Sequence, residues 1–350
     1  MARIVVAGAG AVGASIAYHL AERGVDDVVL AERGTIAGRA TGKAMGGVRQ
    51  QFSTEAEVRL ARASVRLFEE IGEPLFEQVG YLFLATTEDG LRELEERAAT
   101  QRELGVPVER VDPSFVAGLA VDDVLGAVIC REDGIADPAA ITCELVRRAA
   151  ERGVEVREGA DAAELDADTL VIACGAASPE LAATRGVELP IRPLVRQLVD
   201  VGPVDGLPET LPMVVEEETT FHFRRRDAFL RLAMREPSPR WSSDEVVDET
   251  LVADVRAHLA ARYPAAANAP VERAWAGLYD MTPDAHPIIG PLRDGVYVAA
   301  GFSGHGFMQS PAVGRAVAEE LLELAPTFDL TPYRLERFAG DEVFPEELVL

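Results

Sequence analysis

The sequence predicts an α/β protein built from two interwoven domains. Its opening follows strand–helix–strand order, with apolar runs at residues 3–7 and 28–31 on either side of a glycine-rich turn and a helix. Residues 192–234 alternate apolar and polar side chains, which is typical of strands with one buried face. From residue 296 the strand–turn–helix order returns. A chain of 350 residues is longer than one hydrophobic core usually supports, and the interrupted pattern indicates that it leaves and re-enters its first domain.

The remaining elements follow from hydrophobic periodicity and from helix start and stop signals. The first helix keeps small and apolar residues at helical spacing up to Gly24, which predicts its end. Pro138 stands at the first position of another periodic segment, where a helix tolerates proline. We predict helices at residues 55–70, 91–104, 138–152, 245–262 and from the glycine turn after residue 300 to about 324. We predict further strands at residues 81–85, 124–130, 154–156, 170–173 and 296–300.

The charge balance and the cysteine pattern exclude several classes of protein. With 34 Lys and Arg against 59 Asp and Glu, the net charge is −25, and such a surface repels nucleic acids and anionic membrane faces. No apolar run reaches the length of a membrane span, so we expect a cytoplasmic protein without membrane insertion. The three cysteines form no CxxC pair and no cluster with histidine, so we expect buried free thiols and no metal site.

The glycine turn between the first strand and the first helix predicts a dinucleotide site. Residues 8–13 match GxGxxG in the required strand–turn–helix context. The first glycine permits the tight turn, the second lets the backbone approach a pyrophosphate, and the third lets helix and strand pack closely. Glu32 ends the second strand, where its carboxylate would accept from a ribose hydroxyl and repel a 2′-phosphate. NADP is therefore disfavoured, while FAD and NAD both remain open on this unit alone.

Three later segments carry a family resemblance. Residues 38–53 read Gly-Arg-Ala-Thr-Gly-Lys-Ala-Met-Gly-Gly-Val-Arg-Gln-Gln-Phe-Ser. Residues 275–290 read Trp-Ala-Gly-Leu-Tyr-Asp-Met-Thr-Pro-Asp-Ala-His-Pro-Ile-Ile-Gly, and residues 299–311 read Ala-Ala-Gly-Phe-Ser-Gly-His-Gly-Phe-Met-Gln-Ser-Pro. With the N-terminal turn, and in this order, they resemble the D-amino-acid-oxidase-type superfamily of FAD-dependent oxidoreductases. Within it the chain is most similar to sarcosine oxidase and to the β subunits of heterotetrameric sarcosine oxidase and L-proline dehydrogenase.

The resemblance implies a division of the chain and a set of cofactor contacts. It implies an FAD-binding domain of glutathione-reductase-like Rossmann topology from residues 1–75, 135–190 and 280–350, and a mixed-sheet substrate domain from residues 76–134 and 191–279. The residues implied to bind FAD are Gly8, Gly10, Ala11, Val12, Gly13, Glu32, Arg33, Thr41, Lys43, Gly46, Gly47, Val48, Ala162, Cys174, Gly175, Gly277, Gly301, Gly304, His305, Gly306, Phe307 and Met308. The last six would close over the pyrimidine end of the flavin, where a helix beginning near Met308 stabilises negative charge on the reduced ring. A β-meander common in the family is reduced to a turn here, which puts the adenine contact near Ala162.

Departures from the family pattern concern flavin attachment and the substrate carboxylate. Gly277 stands where sarcosine oxidases carry the cysteine that bonds the flavin, so we predict noncovalent FAD. Tyr279 stands where glycine and D-amino-acid oxidases place an arginine that clamps the carboxylate. Met308 stands where monomeric sarcosine oxidase uses a lysine for the same purpose. Arg49 and Arg224 are the candidate replacements.

Three of the candidate substrate-contacting residues have a structural alternative. Arg49 would bind substrate or form an ion pair that supports the flavin loop, and Arg224 would bind substrate or lie on the surface in an Arg-Arg-Arg run. His222 occupies a strand position that faces substrate in relatives, and a purely structural histidine is the alternative. The full candidate set for catalysis is Arg49, His222, Arg224, Tyr279 and His305.

The resemblance also implies a reaction. A small secondary amine or amino acid, such as sarcosine or L-proline, would lose a hydride from its α-carbon to flavin N5 and become an imine. Lys43, the only lysine, would contact a cofactor phosphate, which leaves no lysine for oxygen activation. The electron acceptor is either O2 or, by slight preference, an electron-transfer partner, and other subunits are possible. A D-amino-acid or glycine oxidase, a flavoprotein assembly factor and a flavin-free NAD-dependent dehydrogenase stay open as alternatives.

Overall fold

Strands from both ends and from the middle of the chain combine into three sheets in the computed structural model, which describes residues 3–293, 295–340, 345–346 and 349–350. The strands are β1 (Ile4–Ala7), β2 (Val28–Glu32), β3 (Gly47–Val48), β4 (Phe76–Glu77), β5 (Tyr81–Ala85), β6 (Val108–Val111), β7 (Gly126–Cys130), β8 (Gly134–Ala136), β9 (Glu155–Glu158), β10 (Thr169–Ile172), β11 (Arg192–Val201), β12 (Met213–Glu216), β13 (His222–Arg226), β14 (Phe229–Ala233), β15 (Val271–Met281), β16 (Ile288–Arg293) and β17 (Val296–Ala300). The α-helices are α1 (Ala11–Glu22), α2 (Glu55–Ile71), α3 (Glu88–Glu103), α4 (Pro138–Ala150), α5 (Ser178–Thr184), α6 (Glu249–Arg262) and α7 (Gly306–Leu321).

The opening strand–helix–strand unit forms the centre of a six-stranded sheet with the order β16–β17–β10–β1–β2–β9. The strands from β17 to β9 run parallel, and β16 at the edge runs antiparallel to β17. Helices α1, α4 and α7 pack against one face, and α5 packs against the other. Because both faces are covered, the central strands are buried on both sides, and this explains their continuous apolar runs.

The middle of the chain forms most of an eight-stranded mixed sheet with the order β15–β11–β14–β13–β12–β5–β7–β6. Only β12 and β5 pair in parallel in this sheet. Phe221 and Phe223 pack into the core beneath α6, together with Leu230 and Leu232. Side chains alternate along a strand, so His222 and Arg224 on β13 point to the opposite face. His222, on that face, lines the same cavity as the glycine turn after β1.

A small three-stranded sheet, β3–β8–β4, joins the two large cores. Val48 on β3 packs in the core of the six-stranded sheet, whereas Ile135 on β8 packs with the eight-stranded sheet. Gly46, just before β3, has a φ of +83°, and a Cβ there would lie 2.4 Å from the carbonyl oxygen of Ala136. The close approach requires glycine and holds the segment that follows against β8.

The starts of α3 and α6 differ from the sequence prediction because capping side chains, rather than hydrophobic periodicity, set them. Helix α6 begins at Glu249, four residues after the predicted start at 245, since the Asp248 carboxylate accepts from the amide of Thr250 at 2.9 Å. Helix α3 begins at Glu88, three residues before the predicted start at 91, where the Thr87 hydroxyl accepts from the amide of Gly90 at 3.0 Å.

The three cysteines are free thiols, but one departs from the sequence prediction. Cys130 is buried and Cys174 partly buried, whereas Cys143 is exposed on α4, so the expectation of a buried thiol is wrong there. Within the described ranges, no helix is both long and apolar enough to cross a membrane. Among the same residues, no three or more His, Cys, Asp or Glu side chains are grouped as a metal site requires.

Candidate functional site

A cavity of about 740 Å³ runs from the glycine turn after β1 to the face of the eight-stranded sheet that carries His222. Its walls come from the ends of β1, β2 and β10, the segment 37–49, strands β11 and β15, and the first turn of α7. The volume lies within the ordinary range for small-molecule and cofactor sites, about 300–1,000 Å³. The same cavity is therefore bounded by both large sheets.

The glycine turn brings α1 against β1 with no space for side chains. A Cβ at Gly13 would lie 1.9 Å from the carbonyl oxygen of Gly8. Gly8 itself has a φ of +99°, and a Cβ there would lie 2.4 Å from the oxygen of Ala173 on the neighbouring strand's end. Gly8 and Gly10 line the cavity, while Gly13 lies behind the turn. The turn is thus shaped by the contacts that the GxGxxG pattern predicts.

Two polar side chains hold the surroundings of this turn. The amide of Ala11, in the first turn of α1, donates to Thr41 Oγ1 at 3.1 Å. The Glu32 carboxylate accepts from the amides of Ala9 at 2.9 Å and Gly34 at 2.8 Å, which fixes it at the cavity wall. A carboxylate can accept about four hydrogen bonds, so capacity for a ribose hydroxyl remains. The N-terminus of α1 faces the same space and favours an anion there.

Most of the residues predicted from the sequence line this cavity. They are Gly8, Gly10, Ala11, Val12, Glu32, Arg33, Thr41, Lys43, Gly46, Gly47, Arg49, Ala162, Cys174, Gly175, His222, Gly277, Tyr279, Gly304, His305, Gly306, Phe307 and Met308. Gly13, Val48, Gly301 and Arg224 lie outside the lining. Val48 is fully buried, and a Cβ at Gly301 would lie 2.5 Å from Thr282 Cγ2, so both serve close packing behind the cavity wall.

Lys43 lies at the cavity wall with its ammonium held by a carboxylate. Its Nζ is 2.5 Å from Oε2 of Glu245, which also lines the cavity. The backbone oxygen of Lys43 accepts from the Trp275 indole at 3.0 Å. Gly277 lies beside it, since a Cβ there would come within 3.4 Å of the lysine Cβ. The contact of Lys43 with a cofactor phosphate stays a prediction.

Arg49 is buried at the cavity wall, where its guanidinium contacts neighbouring protein groups. Its guanidinium donates to the carbonyl oxygen of Gln51 and lies 4.1 Å over the Phe52 ring. Its Nη2 lies 3.5 Å from Nε2 of His305. Burial lowers the pKa of Arg49 from its ordinary value. These contacts favour the supporting role among the two alternatives for Arg49, although the residue still borders the cavity.

Arg224 is buried rather than exposed, so its interpretation as a surface arginine is wrong. Its Nε donates to the carbonyl oxygen of Met45 at 2.5 Å, and Nη1 donates to that of Arg225 at 3.0 Å. Burial lowers the pKa of Arg224 to about 9. The side chain braces the segment around Gly46, whose added Cβ would meet Nη2 at 3.0 Å. It therefore supports the wall from behind and does not reach the cavity.

His222 is a neutral, oriented imidazole at the cavity surface. Its Nδ1 lies 2.7 Å from the carbonyl oxygen of Thr220, and a carbonyl only accepts, so Nδ1 carries the proton. Nε2 is then the hydrogen-bond acceptor of the ring. Burial lowers the pKa of His222 to about 4, so the neutral form holds through the physiological range.

Tyr279 and the glycine turn before α7 pack against each other. Gly304 has a φ of +94°, and a Cβ there would lie 2.3 Å from Cε2 of Tyr279. The Tyr279 hydroxyl donates to the carbonyl oxygen of Leu350 at 3.0 Å, and Leu350 also lines the cavity. Burial raises the pKa of Tyr279, so its phenol stays protonated.

The first turn of α7 points its amides at the cavity. The helix starts at Gly306, two residues before the position near Met308 that the sequence predicts. Asp280 holds the preceding turn, because its Oδ2 accepts from the amide of Gly301 at 2.8 Å. Burial raises the pKa of Asp280, and the amides that it accepts act against this rise. The positive end of α7 is thereby fixed at the cavity wall.

Sequence reasoning missed several cavity residues that the eight-stranded sheet supplies, among them Tyr81 and Arg196. Tyr81 on β5 is buried against the glycine segment, since a Cβ at Gly47 would lie 2.7 Å from the tyrosine oxygen. Arg196 lies in the middle of β11 and lines the cavity beside Tyr279. A lone arginine inside the apolar run 194–199 was a usable signal for Arg196. An aromatic residue at the start of a buried strand gives no such signal for Tyr81.

Known proteins share this arrangement over nearly the whole chain. The chain is 26% identical over 379 aligned residues to 4-methylaminobutanoate oxidase (formaldehyde-forming) of Paenarthrobacter nicotinovorans, covering 97% of this chain and 46% of that protein. It thus spans about half the length of this relative. Among solved structures, it is similar to L-proline dehydrogenase from P. horikoshii, with 29% identity, a TM-score of 0.91 and coverage of 98% and 99% of the two chains.

A second solved structure and a family model give the same assignment. Glycine oxidase from Geobacillus kaustophilus aligns with 25% identity and a TM-score of 0.86, over 97% of this chain and 100% of the other. The family model described as FAD dependent oxidoreductase matches residues 3–320. The glycine turn, the fixed Glu32 carboxylate and the mixed second sheet are therefore those of a flavoprotein, and the chain belongs to the FAD-dependent oxidoreductase family.

Proposed function

We propose that this chain oxidises a small secondary amine or amino acid, of the sarcosine or L-proline type, at its α-carbon. The observation that carries the proposal is the continuous cavity between the glycine turn and the side chains of His222, Tyr279 and Arg49. A dinucleotide lying along α1 would present its far end to these side chains. The relatives named above act, by their names, on methylaminobutanoate, L-proline and glycine, which are all amines.

The residues of the cavity fit FAD. The backbone at Gly8 and Gly13 packs too closely for any side chain, the α1 amides face the cavity, and Glu32 borders it. When bound, FAD supplies the hydride acceptor, N5, for the bond that is broken at the substrate carbon. We assign FAD binding to residues 1–75, 135–190 and 280–350 and substrate binding to residues 76–134 and 191–279.

The chain's own side chains would orient the substrate amine. Neutral His222 offers Nε2 as an acceptor for a substrate N–H, because Nδ1 is committed to Thr220. The Tyr279 ring, held by Gly304, forms a wall beside it. Such fixed positioning lowers the entropic cost of bringing the α-carbon to the flavin. Hydride loss from the neutral amine leaves an iminium ion, which gives the imine by releasing a proton to solvent, and water then hydrolyses the imine.

We predict that the flavin is held without a covalent bond. Gly277 offers no nucleophilic side chain at the cavity wall, where a flavin-bonding cysteine would have to stand. Acid precipitation of the yellow protein should therefore release all of the flavin into the supernatant, as intact FAD on chromatography. Flavin that remains with the washed protein pellet would contradict this prediction.

An anaerobic titration tests the oxidation directly. The oxidised holoprotein is mixed with sarcosine, L-proline, glycine, dimethylglycine and D-amino acids in turn, and flavin bleaching is recorded. We expect sarcosine or L-proline to bleach the flavin fastest. Reduction by glycine or a D-amino acid alone would favour the alternative of a D-amino-acid or glycine oxidase. The 25% identity to a glycine oxidase is consistent with this alternative. No bleaching by any of them would reject the enzyme proposal and favour a flavoprotein without this activity.

Admitting air or a dye after reduction tests the electron acceptor. Lys43, the only lysine, has its ammonium paired with Glu245 at 2.5 Å. We propose that no lysine serves oxygen activation and that an electron-transfer acceptor reoxidises the flavin faster than O2 does. Reoxidation by O2 at the rate of turnover would instead make the protein an oxidase.

A further inference from the structure

Arg196 lines the cavity, and two of its hydrogen-bond donors have no acceptor among the described residues. It lies at the centre of β11, and its guanidinium carbon is 5.6 Å from the centroid of the Tyr279 ring. Its Nε and Nη1 are buried, and neither has a hydrogen-bond acceptor in the part of the chain that the structure describes. A guanidinium can donate five hydrogen bonds in a planar fork that matches a carboxylate. The side chain therefore has the donor geometry that a flat anion requires.

The neighbours of Arg196 do not neutralise it. Glu236, the carboxylate whose charge acts on Arg196, is already paired with Arg240 at 2.7 Å. Burial lowers the pKa of Arg196, which shows that its charge is held at a cost in this environment. A partly buried charge whose donors the protein leaves unsatisfied marks a candidate site for a ligand of opposite charge.

The two arginines that the sequence offered as carboxylate-binding candidates, Arg49 and Arg224, have protein partners. Arg49 donates to the backbone of its own loop, and Arg224 donates to Met45 and Arg225. Their guanidinium groups brace the wall. Arg196 differs because its partner across the strand pair is Gly277, which has no side chain to cover it. The face of β11 beside the cavity is therefore left open at this position.

We propose that Arg196 binds the carboxylate of the substrate, so that the chain acts on amino acids rather than on simple amines. This inference rests on the proposed oxidation and narrows its substrate class. His222 and Arg196 line the same cavity, and the charge of Arg196 acts on His222. An acceptor for the substrate N–H and a donor to the substrate carboxylate therefore lie near each other. A substrate with both groups would be fixed at two points, with the carbon between them presented to the flavin.

Binding of an unreactive ligand tests the site apart from the chemistry. Oxidised holoprotein is titrated with tetrahydrofuroate, a proline-shaped carboxylate that carries an ether oxygen in place of the amine, and with its neutral amide. The readout is the change in the visible spectrum of the flavin. We expect the carboxylate to bind roughly 10- to 100-fold more tightly than the amide, because charge-assisted hydrogen bonds are lost with the amide. Arg196→Gln should remove this preference, and Arg196→Lys should restore part of it.

The control variant is Arg192→Gln, on the same strand. Arg192 is exposed, stacks on Trp241 at 4.6 Å and does not line the cavity, so this variant should keep the full preference. FAD content and melting temperature of each variant show whether it folds. The proposal would be overturned if Arg196→Gln kept the preference for the carboxylate over the amide, or if it lost FAD while keeping that preference. It would also be overturned if the unmodified protein showed no such preference.

Substrate kinetics separate this inference from the proposed function. If amino acids reduce the flavin, Arg196→Gln should raise the KM for L-proline much more than that for pyrrolidine, its analogue without a carboxylate. An equal effect on both would overturn the inference and leave the oxidation standing. If no amino acid reduces the flavin but tetrahydrofuroate still binds through Arg196, the oxidation is rejected and the carboxylate site stands.

Discussion

Replacing Gly13 with alanine is expected to give a protein that purifies without FAD and does not take it up from solution. The added Cβ would lie 1.9 Å from the carbonyl oxygen of Gly8, far inside any real contact between these atoms. The two atoms nearest to this Cβ, the carbonyl oxygen and carbon of Gly8, belong to the backbone and cannot rotate away, so α1 would have to move away from the turn. The turn and the N-terminus of α1 would then lose the geometry that a pyrophosphate requires. Visible flavin absorbance per protein, before and after incubation with FAD, measures the effect.

Two further variants distinguish lost binding from lost folding. Gly340→Ala serves as the matched control, because a Cβ there has no heavy atom within 4 Å, and full FAD content is expected. Gly10→Ala would meet only Thr41 Oγ1 at 3.2 Å, so the fold should survive while the cavity wall gains a methyl group and FAD binds more weakly. A Gly13→Ala protein with normal FAD content would refute the close-packing account of this turn.

Replacing Glu57 with alanine is expected to destabilise the protein by about 3–5 kcal/mol, the usual cost of removing one partner of a buried ion pair. Glu57 lies on α2 with no exposed surface. Its carboxylate accepts from His286 Nδ1 at 2.8 Å and from the Gln309 amide. The side chain therefore connects α2 to the loop before β16 and to α7. The shift in the midpoint of urea unfolding measures the loss.

The stabilisation by this pair depends on pH. Burial alone lowers the pKa of His286, but the hydrogen bond and charge of Glu57, with the charges of Asp284 and Glu346, outweigh it and raise the pKa above the ordinary 6.5. A group whose pKa is raised by folding stabilises the folded state fully below its ordinary pKa, and this contribution is lost as pH rises through the raised value. The loss of unfolding free energy caused by Glu57→Ala should therefore be larger at pH 6 than at pH 9. Urea unfolding of both proteins at each pH measures it.

Glu55→Ala is the matched control for Glu57. Glu55 lies in the same first turn of α2 and pairs with Arg59 at 2.6 Å, but both side chains are 63% exposed, so little change is expected. The double variant Glu57→Ala with His286→Phe removes the charge that would be left unpaired, and it should recover part of the stability. Equal losses for Glu55→Ala and Glu57→Ala would contradict the importance of the buried pair.

The cofactor end of the cavity was predictable because its parts are close in the sequence. Gly8, Gly10 and Glu32 lie within one strand–helix–strand unit, and each has its own steric or hydrogen-bonding reason. Helix boundaries were less predictable, as with α6, where the Asp248 cap outweighed an apolar pattern that begins earlier. The positions of Lys43 and Arg224 were not predictable either, since Glu245 and Met45, their partners, lie in distant segments of the chain.

By itself, the sequence determined the alternation of strands and helices, the glycine turn and the presence of a dinucleotide site, with FAD and NAD both open. These features depend on local sterics and on the period of apolar residues, and both are set by residues close together in the sequence. Tertiary structure decided which of the three arginines lines the cavity with hydrogen-bond donors that lack a protein acceptor. Arg49, Arg196 and Arg224 have the same chemistry, and only the packing of β11, β13 and the segment 45–52 assigns protein partners to two of them. The charge of the third is left for a ligand because Gly277, its neighbour across the strands, has no side chain to offer.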